Sequence, residues 1–61
     1  MKEQIKAMLK RKGITQKELA TRLGVSAPTL SVKMNLDNWR ENDLYKIAEV
    51  CGCKYVGEFI D

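Results

Sequence analysis

The chain has 61 residues, 44% of them hydrophobic and 31% charged, and its net charge is +3. A chain of this length folds as one small domain that buries only about 60% of its unfolded surface, which leaves no room for a deep catalytic cleft. The hydrophobic fraction is too high for disorder, and no apolar run approaches the roughly 18 residues of a membrane span. We therefore expect one domain over residues 1–61, with no membrane partner and a cytoplasmic location.

The sequence offers little for catalysis or metal binding. It contains no histidine, the usual general base near neutral pH, and no serine or cysteine has an evident activating partner. Cys51 and Cys53 are too close in sequence for an ordinary disulfide, and two thiolates alone leave a zinc ion half-coordinated. We expect no enzymatic activity, no metal and no cofactor, with one thiol buried and the other starting the next element.

Charge is distributed unevenly along the chain. Residues 1–36 contain eight basic and two acidic residues, whereas residues 37–61 contain three basic and six acidic ones. The first part is therefore a candidate surface for a polyanion, and the second is not. Charge alone is equally compatible with a lysine-rich helix face that binds nothing.

Hydrophobic periodicity predicts two helices in the first third of the chain. The first runs roughly from Lys2 to Lys12 and ends at Gly13, a typical helix-terminating glycine. The second starts at Thr15, whose hydroxyl and the Glu18 carboxylate have the spacing of a capping box. It ends at Gly24 after about two and a half turns.

A third helix is predicted from Ser26, an N-cap residue, to about Asn35, with Leu30 and Met34 as its buried stripe. After Trp39, which we expect in the core, a fourth helix ends at Gly52 and carries an apolar face formed by Leu44, Ile47, Ala48 and Cys51. Two starts are open for this helix. Either Asn38 caps it with Glu41, or Arg40 is the N-cap with Trp39 and Leu44 as a hydrophobic staple.

The tail, residues 54–60, has no helical period and is rich in aromatic and β-branched residues. It predicts one C-terminal β-strand, and no other segment reads as a strand that could pair with it within the chain. An unpaired apolar strand is a liability, so it needs a partner or must fold back on its own helices.

The segment from Thr15 to Met34, TQKELATRLGVSAPTLSVKM, has the pattern of a helix-turn-helix. Two short helices separated by Gly24 and Val25 must cross steeply, and Ala20 is small enough to permit a close crossing. In such a motif the second helix can present its outward amino-terminal residues to a major groove about 12 Å wide. The side chains expected to pack inward are Leu19, Leu23, Val25 and Leu30.

Residues 5–52 resemble the lambda-repressor-like, or Cro/repressor (XRE-type), DNA-binding family, most closely in the segment KGITQKELATRLGVS. The ending CGCKYVGEFID is similar to that of a short phage or prophage subgroup. The resemblance implies an all-α, four-helix helix-turn-helix domain with a C-terminal β-strand. It also implies a bacterial or phage-encoded transcriptional regulator that binds double-stranded DNA.

The resemblance further implies how DNA is contacted. Gln16 occupies the position that hydrogen-bonds a phosphate, and the helix 27–35 enters the major groove. The positions that usually face base edges hold Ala27, Pro28 and Thr29, followed along the helix by Ser31 and Val32. Further phosphate contacts are expected among the basic residues Lys10, Lys17, Arg22 and Lys33.

Alternatives remain open for several of these residues. The alternative for Gln16 is a solvated helix start, and Lys33 is either a phosphate contact or an exposed side chain without a partner. Ser26 is better explained as an N-cap than as a base contact. Many relatives place Gln, Asn or Arg at the base-reading positions. The alanine, proline and valine here can touch thymine methyl groups but cannot donate hydrogen bonds, so we expect modest or T-rich specificity.

Regulators of this type generally bind DNA as two-fold dimers, so a homodimer is expected. The same strand from two protomers can pair about the two-fold axis through Tyr55, Val56, Phe59 and Ile60. In the alternative, the tail folds back and shelters Phe59 in the monomer core. The competing function is a protein-interaction module that uses this strand and binds DNA weakly or not at all.

Overall fold

Four helices and a short hairpin make up the computed structural model, which describes residues 1–61. The helices are α1 (Lys2–Lys12), α2 (Gln16–Leu23), α3 (Ala27–Leu36) and α4 (Glu41–Cys51), and two short strands follow, β1 (Lys54–Tyr55) and β2 (Phe59–Ile60). The four predicted helices are confirmed, and α3 ends one residue later than expected. No helix is long and apolar enough to span a bilayer.

Three of the helices end in the same way, with a glycine in the left-handed backbone region. After α2, Gly24 has φ 76°, and the N–H of Val25 donates to the carbonyl of Ala20 at 3.0 Å. This Schellman arrangement satisfies a carbonyl that the helix itself leaves free. The same bond joins Ile14 to Leu9 after α1 and Cys53 to Ala48 after α4. These terminators confirm the predicted glycine stops.

The end of α3 differs, because Asp37 takes the left-handed conformation there, with φ 51°. Its carboxylate accepts hydrogen bonds from the N–H of Lys2 at 2.8 Å and from the Met1 ammonium at 3.2 Å. Partial desolvation acts to raise the pKa of Asp37, but these two bonds outweigh it and hold the pKa below its usual value. The carboxylate thus joins the end of α3 to the start of α1.

The predicted N-caps at Thr15 and Ser26 are confirmed, since both hydroxyls accept a backbone N–H from three residues on. The capping box at Thr15 is only half formed, because the Glu18 carboxylate lies 3.7 Å from Arg22 instead of bonding back. Of the two starts considered for α4, Arg40 is the N-cap. Its backbone N–H donates to the Asp43 carboxylate at 3.1 Å.

The core collects side chains from all four helices and from β2. Its members are Ile5, Met8, Leu9, Leu19, Ala20, Leu30, Met34, Leu44, Ile47, Ala48, Cys51 and Phe59. Leu23 and Trp39 are only partly buried against this core. The expectation that Val25 packs inward is wrong, because it lies in the turn after Gly24 and remains exposed. Cys51 is buried, and burial raises the pKa of its thiol.

The prediction of one continuous C-terminal strand over residues 54–60 is wrong. The chain turns at residues 56–58, where Gly57 has φ 83°, and β1 pairs antiparallel with β2 in the register Lys54 to Ile60 and Tyr55 to Phe59. An internal partner for the strand therefore exists. Phe59 is 7% exposed and belongs to the monomer core, so it is not available for a dimer interface.

Long-range polar contacts hold the hairpin against α1. The Arg11 guanidinium donates to the Phe59 carbonyl at 3.3 Å and to the Asp61 carboxylate at 3.2 Å, and the Lys12 ammonium lies 3.4 Å from the same carboxylate. The hydrogen bond from Arg11 holds the pKa of Asp61 below its usual value. Two cations of the basic half of the chain are thus used internally.

Candidate nucleic-acid interface

The helix-turn-helix segment is built around α2, which packs against both α3 and α4. Ala20, the residue expected at the helix crossing, is buried on the inner side of α2. The turn between the helices is short, since Gly24 ends α2 and Ser26 already caps α3. This connection fixes the position of α3 on the body of the domain.

All five residues predicted to read bases lie within the first six positions of α3, and each of them is exposed. They are Ala27, Pro28, Thr29, Ser31 and Val32. At 3.6 residues per turn, Val32 lies opposite the buried pair Leu30 and Met34. Leu36 also lies on this outward face and is 69% exposed. The prediction that ended the helix at Asn35 missed it, although the four-residue spacing from Pro28 through Val32 leads directly to Leu36.

Thr29, one of the two polar side chains among the five residues predicted to read bases, is already hydrogen-bonded within the protein. The Thr29 hydroxyl lies 2.7 Å from the hydroxyl of Ser26, whose oxygen also caps the helix by accepting the Thr29 N–H. This interaction holds the Thr29 side chain against the helix start. Only Ser31 and Asn35 then offer polar groups without an intramolecular partner on the outward face.

The predicted phosphate-binding residues fall into two groups. Gln16, Lys17 and Lys10 are exposed and form no ion pair or side-chain hydrogen bond. The Arg22 guanidinium instead donates to the Val50 carbonyl at 2.8 Å, and the Lys33 ammonium lies 3.6 Å from the Asp43 carboxylate. Both of these charged side chains remain nearly half exposed. The count of basic residues in the sequence thus overstates the freely available positive charge.

A family model described as Cro/C1-type HTH DNA-binding domain matches residues 4–61. The chain belongs to this family. The comparison with curated proteins and that with solved structures found no match.

As a Cro/C1-type HTH domain, the chain has α2 and α3 as its motif helices, which confirms the family resemblance recognised in the sequence. The α3 surface has the dimensions of a reading element, because a single helix fits into a major groove about 12 Å wide. Its outward side chains are uncharged, whereas Gln16 and Lys17 lie in the first turn of the neighbouring helix α2. An uncharged face of α3 thus lies in the motif beside an exposed polar and basic helix start.

Proposed function

We propose that this protein is a transcriptional regulator that binds double-stranded DNA by inserting α3 into the major groove. The observation that carries the proposal is the outward face of α3, which is exposed along its length although it belongs to a packed helix. Buried Leu30 and Met34 secure the helix from behind. The face is therefore displayed by a fixed scaffold, which limits the conformational entropy lost on binding.

The phosphate contacts in this proposal come first from the free side chains Gln16, Lys17 and Lys10. Arg22 and Lys33 join them by exchanging an internal partner for a phosphate. The Lys33 pair with Asp43 is partly exposed, with side-chain exposures of 43% and 33%, and surface ion pairs stabilise proteins by only about 0–1 kcal/mol. A charge-assisted hydrogen bond from the ammonium to a phosphate repays that loss, so the internal pairs reduce the affinity only slightly.

Binding to a short random-sequence duplex is expected to weaken steeply with salt. Each neutralised phosphate contributes about −0.9 to the slope of log affinity against log salt, so four contacts predict a roughly 150-fold loss of affinity for a fourfold rise in salt. Fluorescence polarisation at several salt concentrations measures the slope. A slope near zero would contradict DNA binding and favour the protein-interaction alternative.

A matched pair of charge variants makes this measurement specific. Lys17→Gln is expected to reduce the slope by about 0.9, because it removes one phosphate contact. Lys54→Gln removes the same charge from β1, on the acidic part of the chain, and is expected to leave the slope unchanged. Equal effects of the two variants would show that binding follows net charge and not the α2–α3 surface.

We also propose a homodimer, with an interface different from the continuous strand pairing expected from the sequence. The cross-strand pair Tyr55 and Phe59 packs against the helices, whereas Ile60 on β2 and Val56 in the turn are exposed. The outer edge of β2 is also partly occupied, since Arg11 binds the Phe59 carbonyl. Contact between the exposed side chains of two protomers therefore supports a dimer better than an extended ladder does.

Sedimentation equilibrium tests the dimer. Truncation after Lys54 is unsuitable because it removes Phe59 from the core. The double variant Val56→Glu, Ile60→Glu places four like charges in the interface and is expected to be monomeric where the unmodified chain is dimeric. A monomeric unmodified chain at high micromolar concentration would contradict the proposal, as would a double variant that still dimerises.

A further inference from the structure

An apolar stripe runs along the outward side of α3. Pro28, Val32 and Leu36 are spaced four residues apart, so they lie one above the other on the helix surface. Val32 is 56% exposed and Leu36 is 69% exposed. No charged side chain lies within this stripe. Its width is that of one row of side chains, which suits a narrow groove rather than a broad protein interface.

Polar base recognition is weak on the same face. No residue from 27 to 32 is Arg, Lys, Asn, Gln, Asp or Glu, the side chains that form paired or charged contacts with base edges. The Thr29 hydroxyl lies 2.7 Å from that of Ser26 and is held at the helix start. Apart from the polar groups of Ser31 and Asn35, discrimination between base pairs on this face therefore depends on contacts made by apolar side chains.

In the major groove, the one apolar feature among the base edges of unmodified DNA is the 5-methyl group of thymine. Contact with it removes exposed apolar surface from water on both partners, whereas contact with a cytosine amino group leaves that donor unpaired. We propose that Val32 and Leu36 read thymine through its 5-methyl group, so that methyl position determines which duplexes this domain prefers. This inference rests on the proposed insertion of α3 into the major groove.

The test uses duplexes that differ only in this methyl group. The first pair consists of an A·T-rich duplex and the same duplex with every thymine replaced by uracil. The second pair consists of a G·C duplex and the same duplex with every cytosine replaced by 5-methylcytosine. We expect about a fourfold loss of affinity for each contacted methyl removed, and a corresponding gain where methyl groups are added. Fluorescence polarisation at one fixed salt concentration measures both ratios.

Protein variants separate methyl contact from a change in duplex shape. The double variant Val32→Ala, Leu36→Ala changes only exposed side chains and is expected to bring both ratios close to one. Lys17→Gln is the control, because it is expected to weaken binding to both members of each pair equally. The melting temperature of each variant shows that it is folded.

Three results would overturn the inference. Equal affinity for the thymine and uracil duplexes would refute methyl reading and leave DNA binding intact. A ratio that persists in the double variant would assign the preference to duplex shape. Failure to bind any of the four duplexes would refute the proposed function itself, and the inference with it.

Discussion

Leu30→Ala is expected to remove a large part of the stability of the domain. Leu30 is 1% exposed and belongs to the single core. Truncating a buried leucine to alanine costs about 2–5 kcal/mol, because the removed methyl groups leave a cavity that relaxes only partly. A chain of this length has a total stability of roughly 3–9 kcal/mol. Urea unfolding followed by circular dichroism measures the loss as a lower midpoint.

The same change made at Leu36 is the control, since Leu36 lies on the same helix and is 69% exposed. We expect its effect on stability to stay within about 0.5 kcal/mol. Leu36→Ala is instead expected to weaken binding to thymine-containing DNA. If Leu36→Ala destabilised the fold as much as Leu30→Ala, our assignment of the inner and outer sides of α3 would be wrong.

The helices could be predicted because their ends are determined by neighbouring residues. Thr15 and Ser26 accept hydrogen bonds from N–H groups only three positions away, and Gly24 ends α2 by its own backbone conformation. Such interactions depend only on a few consecutive residues and can therefore be predicted from the sequence. The start of α4 was harder to predict, because Arg40 is an unusual N-cap and the Asp43 carboxylate supplies the bond to it.

The hairpin could not be predicted from the hydrophobic pattern. Each strand has only two residues, which is too few to show an alternation of apolar and polar side chains. The apolar residues on both sides of Gly57 therefore predict one continuous strand. The contacts that hold it in place connect Arg11 to Phe59 and Asp61, about fifty positions away in sequence. Pairing at such a distance depends on the tertiary fold.

The candidate site was predictable in position but not in electrostatic state. The family resemblance assigned base reading to five residues of α3, and the structure shows that all five are exposed. The sequence did not show which of the cationic side chains have a partner within the protein. Arg22 reaches the end of α4 and Lys33 reaches Asp43, and both partners come from another helix. Net charge by segment cannot reveal such pairs.

Ala20→Leu is expected to destabilise the domain by overpacking. Ala20 is 1% exposed on the helix that packs against both α3 and α4, and its carbonyl also accepts the N–H of Val25 in the turn. The residues around Ala20 leave no unoccupied space for a leucine side chain. Either the leucine adopts a strained rotamer or α2 moves away from its neighbours. Such substitutions cost about 1–3 kcal/mol.

Thermal unfolding measures this cost, because each kcal/mol lowers the melting temperature of a domain of this size by about 4–8 °C. Ala7→Leu is the matched control, since Ala7 is exposed on α1 and leucine has nearly the helix propensity of alanine. We expect a clear fall for Ala20→Leu and almost none for Ala7→Leu. An unchanged melting temperature for Ala20→Leu would mean that the crossing of α2 has room for a larger side chain. The turn at Gly24 alone would then have to hold α3 in its position on the domain.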